Sequence, residues 1–442
     1  MKWIKAIAMA IIAFSSFAGG QIGNTEITKW QYGKNGAVSL TYDDGSINQF
    51  RVAVPIMDQF GFPATFFIIT GNIPGSRYRG TFVGRPTKAI IDETASVPTR
   101  KDSFFERASA IGFLGYEGTL DYHTRAGELY DEDKNADAAY RVLDDAYAQV
   151  RIGAFKKLTQ RQSPAPENET ISWDEIRSLA NRGYEFASHT VTHSRLAVLD
   201  DANLAYELEK SRQEIFDHLG FKHTFSVECP YGTENERAVQ AALVRYQLAR
   251  NYMPDEDVDD LDRSNHTDPA SSRKDYVRWQ RGAVTETPIS FMKSWIDKTA
   301  AQGNIWLVLV IHGVDSVGWE PLTGAELKDY FSYVDSKKQN LWVATFQDVA
   351  KYIREREHGS VASYKDGESI DVVLRSSLTD LSYDLPLTLK TYVPKEWKTV
   401  EVRQGDRTQS ADAIEANGAS YAFYQADVNA QVVTLSRATP TK

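Results

Sequence analysis

Two aspartates stand side by side in "SLTYDDGS" (39–46), at the end of an apolar run. Adjacent carboxylates repel, and burying either without a partner is costly, so Asp43 and Asp44 call for something positive nearby. Far along the chain, "SHTVTH" (188–193) places His189 and His193 in an H-x-x-x-H spacing. Both imidazoles reach one ion if the turn is helical or tightly wound. One aspartate added to them makes a His-His-Asp donor set with open positions. That set suits catalytic Zn²⁺, and also Co²⁺, Mn²⁺ or Ni²⁺. On this reading Asp44 holds the metal. Asp43 is the base that takes a proton from water bound beside it.

These residues must be brought together by the fold. Seven apolar runs read as strands: 37–42, 64–70, 184–189, 224–230, 245–252, 305–312 and 341–346. Most are nearly continuous, which suits strands buried on both faces of a parallel sheet. Between them lie helical patterns. "SWDEIRSLANRG" has a Ser N-cap with Glu175 three residues on, and "DDANLAYELEKSRQEIFDHLG" is long and amphipathic. Alternating strands and helices predict an α/β barrel, whose functional groups collect at the carboxyl ends of the strands. Asp43 and Asp44 end the first run, His189 the third, "ECPYGT" the fourth and His312 the sixth. Taken singly, each has an ordinary reading as a turn, a surface pair or a core histidine. Their convergence on one rim argues for a site.

The series "TYDDG", "SHTVTH", "CPYG", "LVLVIHG" resembles the motifs of the polysaccharide deacetylases, the NodB-homology domain of carbohydrate esterase family four. The resemblance runs over roughly residues 35 to 355. It implies a distorted (β/α)7 barrel and hydrolysis of acetyl groups on a glycan. It assigns Asp43 as general base and Asp44, His189 and His193 as metal ligands, with Zn²⁺ as the first expectation. Tyr231 matches the residue whose backbone N–H stabilises the oxyanion, and His312 the general acid. Two departures stand out. The family arginine that contacts the base is replaced near "VECPYG" by Glu228 and Cys229, and a carboxylate there is expected to raise the pKa of Asp43 unless Glu228 points away. The element that orients the catalytic histidine is unclear, with Asp275 and Trp279 as candidates. Trp319 could stack on a sugar or simply pack, and Leu307, Leu309 or Ile311 could line an acetyl pocket or fill the core.

The rest of the chain bounds the setting. At 442 residues it is long enough for a large domain and a smaller one. A net charge of −10 argues against a nucleic-acid surface. "MKWIKAIAMAIIAFSSFAGG" reads as a secretory signal peptide over 1–20, giving a secreted or periplasmic protein with no membrane span after its removal. The single cysteine, Cys229, excludes an internal disulfide. The barrel is expected over 21–358, with a helical insertion at about 75–165 that walls the groove or only buttresses the barrel. "SPAPENET" (163–170) reads as a polar linker. After Gly359 the pattern alternates and is rich in Val, Thr and Tyr, which predicts a C-terminal β-sandwich over 360–442. The expected partner is an acetylated glycan, with N- and O-acetyl groups equally compatible, and oligomeric state is not legible. Two other functions fit less of the pattern: a metal-dependent hydrolase of a small non-sugar C–N bond, and a silent glycan-binding protein.

Overall fold

The computed structural model describes residues 20–158, 170–232, 235–253 and 255–438. Residues 1–19 of the leader and 163–169 of the polar linker lie outside the described residues. The chain forms two compact units. One is Lys34–Ile353 with Asp380–Ser382; the other joins the described residues before Lys34 to Arg354–Thr379 and to those from Tyr383 onward.

The first strand, β1 (Thr25–Ile27), belongs to the second unit. The first unit is built on a parallel sheet of β2 (Gly36–Asp44), β3 (Thr65–Ile68), β4 (Glu185–Ser188), β5 (Ser226–Val227), β6 (Leu248–Ala249), β7 (Val258–Leu261), β8 (Tyr276–Gly282), β9 (Ile305–Ile311) and β10 (Leu341–Val343). The order is β6-β5-β4-β3-β2-β9-β8-β7, with β10 paired to β2. Strand β9 runs along one edge of β2, from Ala37 to Tyr42. Strands β10 and β3 share the other edge, at Gly36–Val38 and Thr41–Asp44 respectively. All seven expected runs are strands. Two more, β7 and β8, were not expected, because "VDDL" and "YVRWQRG" carry charges where a buried strand ordinarily carries none.

Of their polar residues, Asp260, Arg278 and Gln280 point into the barrel. Among the described residues no ladder joins β6 to β7 or β8. Side chains span the gap instead. Gln280 Nε2 donates to the Arg250 carbonyl at 3.0 Å, the Met253 N–H donates to Asp260 Oδ2 at 2.8 Å, and Arg278, which pairs with Asp260 on the neighbouring strand, extends Nη1 to the Ala249 carbonyl at 3.4 Å. The alternation along β2 follows the same division. Val38, Leu40 and Tyr42 pack outward into the helix-covered core with Phe66, Phe186 and Leu309. Ser39 and Thr41 face inward, where they meet Trp306 and Arg250.

Helix α1 (Val54–Asp58) follows a π-helical turn, Gln49–Ala53. The insertion supplies α2 (Thr87–Glu93), α3 (Phe104–Ile111), α4 (Thr119–Gly127) and α5 (Ala136–Arg151). It is helical, as expected, and has its own core of Phe104, Ala108, Leu143 and Tyr147. Outside the barrel sheet come α6 (Trp173–Ala180), α7 (Asp201–Leu219), α8 (Glu236–Leu243), α9 (Ile289–Gln302), α10 (Gly324–Ser336) and α11 (Phe346–Glu357). Ser172 caps α6 through the expected capping box with Glu175.

In the second unit β11 (Gly359–Asp366), β12 (Ser369–Ser376), β13 (Leu387–Val393), β14 (Thr399–Gln404), β15 (Arg407–Ala416), β16 (Ala419–Ala426) and β17 (Val433–Arg437) join β1 in antiparallel order β1-β13-β16-β15-β14-β17-β12-β11. The early half of β15 pairs with β14 and its last residues with β16, so this strand passes from one layer to the other. Ile370, Val372, Leu389, Val400 and Leu435 fill the space between the layers. Asn417 and Gly418, at φ 52° and 78°, make the two-residue turn into β16.

Because Arg278 is buried against Asp260, an Arg278→Ala variant leaves that carboxylate without its counter-charge. Breaking such a pair costs about 3 kcal/mol or more. Urea unfolding at neutral pH should show that loss, whereas Arg403→Ala, on an exposed pair, should change stability by less than about 0.5 kcal/mol.

Candidate active and metal site

The period-two alternation of β2 decides what each aspartate does. Asp43 lies on the same face as Ser39 and Thr41, so it enters the barrel and is buried. The next residue would face the helices. Asp44 instead adopts φ 74° and Gly45 follows at 71°, and this left-handed turn swings the Asp44 carboxylate onto the rim. There Asp44 Oδ1 lies 3.6 Å from His189 Nε2 and 3.3 Å from His193 Nε2. One donor atom from each of the three residues falls within 4.8 Å of the others, and no other such His/Cys/Asp/Glu group occurs among the described residues.

The tautomer of His189 tests whether a cation fits. Its Nδ1 is 2.9 Å from the Glu228 carbonyl, so Nδ1–H donates there and Nε2 carries the lone pair. That lone pair faces a carboxylate oxygen, and Asp44 Oδ1 is buried without a hydrogen-bond partner. Acceptor facing acceptor is repulsive until a cation sits between them, so the three side chains fit a divalent ion. Burial pushes Asp44 up, but where the two imidazoles are protonated instead, their hydrogen bonds and charge outweigh it and hold the carboxyl well below the usual range.

The turn between the histidines is strained and pinned. Thr190 and His193 sit at φ 65° and 63°. Buried Glu207 on α7 accepts from the backbone N–H groups of Val191 and Thr192, both at 2.9 Å, and from the Thr192 hydroxyl at 2.7 Å. Beyond His193, the insertion takes hold: His123 Nε2 accepts the Arg195 N–H at 3.2 Å, and Ser109 Oγ accepts the Asp200 N–H at 2.9 Å. Here the insertion buttresses the ligand loop.

Asp43 has its own counter-charge. Arg250, just past β6, grips it with both nitrogens, Nη1–Oδ1 at 2.5 Å and Nη2–Oδ2 at 2.7 Å. The same Nη2 reaches Glu228 Oε1 at 2.7 Å. Asp43, Arg250 and Glu228 are all buried. One guanidinium between two buried carboxylates cannot hold both equally. Burial raises Asp43, but Arg250, His312 and His189 lower it further, to about 2. Glu228 is raised, by burial first and by the charge of Asp43 against the pull of Arg250. The upward push expected from Glu228 is outweighed: Arg250 stands between the two carboxylates and Asp43 ends lowered. Arg250, in the run "RYQLARNY", was not legible as this partner, because the motif series places the arginine beside β5 and this one comes from the end of β6, one strand along.

His312 follows β9, with Nε2 3.3 Å from Asp43 Oδ2. Burial lowers it, against the opposing Asp43 and Asp44 carboxylates. Gln49 Nε2 donates to the carbonyls of both Asp43, at 2.5 Å, and His312, at 2.7 Å, and so fixes the ends of β2 and β9 together. Trp319 packs edge-on against the His312 ring at 4.7 Å and is 55% exposed. Trp279 lies in the core, and Asp275 precedes β8, at the strand end opposite the rim. Leu307, Leu309 and Ile311 belong to the core cluster. Tyr231, at φ 65°, lies with its ring 4.7 Å from that of His193 and under the Arg195 guanidinium at 4.1 Å. Its backbone N–H makes no hydrogen bond among the described residues.

Residues 31–93 and 130–246 match the family model described as polysaccharide deacetylase. This span holds Asp43, Asp44, His189, His193 and Tyr231, while His312 lies beyond it. A gellan lyase from Bacillus sp. is 26% identical over 242 residues, which are 52% of this chain and 10% of that protein, so the chain spans about a tenth of the length of this curated relative. Among solved structures, PdaA of Bacillus subtilis, a family 4 carbohydrate esterase, is 13% identical with a TM-score of 0.33, covering 75% of this chain and 84% of that one. A family 4 carbohydrate esterase from Streptomyces lividans in complex with acetate is 13% identical with a TM-score of 0.32, covering 70% and 91%.

Since Glu207 pins the turn between His189 and His193 and is not one of the three candidate ligands, Glu207→Ala should weaken divalent-ion affinity by about 10- to 100-fold. Chelator competition with Co²⁺ or Zn²⁺ measures this, and His193→Ala, which removes a ligand, should weaken it more.

Proposed function

We propose, given that the chain belongs to the polysaccharide deacetylase family, that it is an exported, metal-dependent enzyme that hydrolyses N- or O-acetyl groups on a polysaccharide or oligosaccharide. The observation that carries this reading is the division of the two aspartates, Asp44 toward His189 and His193, Asp43 toward Arg250 and His312. Asp44, His189 and His193 hold the ion, Zn²⁺ first, with Co²⁺, Mn²⁺ and Ni²⁺ compatible with the same donors. When bound, such an ion supplies a Lewis acid that polarises the acetyl carbonyl and acidifies water.

The chain's own residues do the rest. Asp43 accepts a proton from the attacking water. Arg250 keeps Asp43 ionised over the working range, so it is ready as an acceptor. A carboxyl held near 2 is a poor resting place for that proton. His312, 3.3 Å away, is the better base and takes it. His312 then gives it to the leaving nitrogen or oxygen, and acetate is released. The free N–H of Tyr231 donates to the oxyanion. The leaving group distinguishes amide from ester, and nothing in this chemistry depends on which it is. The N-terminal segment, with its two lysines, apolar stretch and small residues, supports export. No helix among the described residues is long and apolar enough to cross a membrane.

Acetate release should be measured from acetylated chitooligosaccharides, peptidoglycan, poly-N-acetylglucosamine and acetylxylan. Release should disappear on chelation and return with Zn²⁺ or Co²⁺. Asp43→Asn should lower it by about 10²- to 10⁴-fold while leaving the ion bound. Release that survives both chelation and Asp43→Asn would contradict the reading.

A further inference from the structure

Beside the catalytic groups opens a cleft of about 720 Å³. Tyr231 and Trp319 are part of its lining, and they touch His193 and His312, so cleft and site are continuous. Phe291 and Trp295 add to its apolar wall. It also contains two arginines. Arg263 fills the space over Gly232, its Nη2 only 2.8 Å from where a Cβ at that glycine would stand. Its charge acts on both Glu228 and His312. Arg281 lies 5.3 Å from the ring of Trp279 and 5.3 Å from that of Trp295.

Elsewhere buried arginines are matched. Arg107 has Glu93, Arg250 has Asp43 and Glu228, and Arg278 has Asp260. Among the described residues neither Arg263 nor Arg281 has an ion-pair or hydrogen-bond partner, although both are partly buried. The cleft's carboxylates do not supply one. Asp262 accepts from the Ser264 N–H and hydroxyl and from the Asn265 N–H, and Glu286 is exposed. In a chain of net charge −10, two unmatched guanidiniums beside the catalytic rim are a recognition feature. A guanidinium fork matches a carboxylate, and stem or face contacts with aromatic rings leave that fork available.

We propose that Arg263 and Arg281 receive a carboxylate of the substrate, so that the preferred glycan carries acidic sugars beside its acetylated ones. The proposal rests on the deacetylase reading for the acetyl group, but its binding claim is tested without turnover. Calorimetry on the metal-loaded protein would compare an unacetylated tetrauronide, an unacetylated neutral tetrasaccharide and a muropeptide, which carries its carboxylates on peptide. The tetrauronide should bind about tenfold or more tighter than the neutral sugar, and the gap should narrow with salt. It should vanish in the double variant R263Q/R281Q and shrink in R263K/R281K, which keeps charge and loses the fork. Equal binding of neutral and acidic sugars overturns the proposal, as does a preference unchanged in R263Q/R281Q. Preference for the muropeptide overturns the assignment to a sugar acid. Acetate released from neutral glycans with no acidic preference sinks this proposal and leaves the deacetylase. An acidic preference with no acetate released from any glycan does the reverse.

Discussion

Two carboxylates on consecutive residues at the end of a buried strand can both be charged only if each has a separate counter-charge. The site follows from that constraint. Asp43 keeps the alternation of β2 and meets Arg250 inside the barrel. Asp44 breaks the alternation through a positive φ and meets two imidazoles on the rim. Backbone strain gathers at the same place, at Asp44, Thr190, His193 and Tyr231. Such conformations cost of order 1–3 kcal/mol each and persist only where the surroundings over-determine them. Here Glu207, Gln49 and the insertion's His123 provide that support through hydrogen bonds to backbone groups.

The arginine on Asp43 shows how a local change is absorbed by the fold. Glu228 occupies the place where the resemblance expects a cation, and on its own it would oppose ionisation of Asp43. Arg250, one strand along, supplies the cation to both. The trio has two potential negative charges and one positive, and burial makes the imbalance costly. It is relieved by raising Glu228 rather than Asp43, which leaves Asp43 as the charged one.

Much of this was legible in the sequence, for physical reasons that also mark its limits. The seven apolar runs were visible because their strands are packed on both faces. Strands β7 and β8 were invisible because their inward residues, Asp260, Arg278 and Gln280, are polar groups that pair with each other along the sheet or bond to backbone groups at and just after β6. A hydrophobic pattern cannot distinguish such a strand from a charged loop. Asp43, Asp44, His189 and His193 could be named from their types and spacing, His312 from its place at the end of a strand, and Tyr231 only through the family resemblance. Arg250, Glu207 and Gln49 could not, since each acts through side-chain direction that spacing does not encode. Strand β1 was missed because it is three residues long and has no apolar run of its own.

The most direct test of the charge arrangement is the pH dependence of acetate release by Arg250→Met, alone and combined with Glu228→Arg. A base held low is active above its folded pKa, so removing its counter-charge must move the acid limb to higher pH. The account predicts that Arg250→Met shifts this limb up toward or beyond an ordinary carboxylate value of about 4 and lowers the rate. It predicts that the added arginine at position 228 brings the limb back down. An Arg250→Met enzyme with the wild-type acid limb and rate would contradict it.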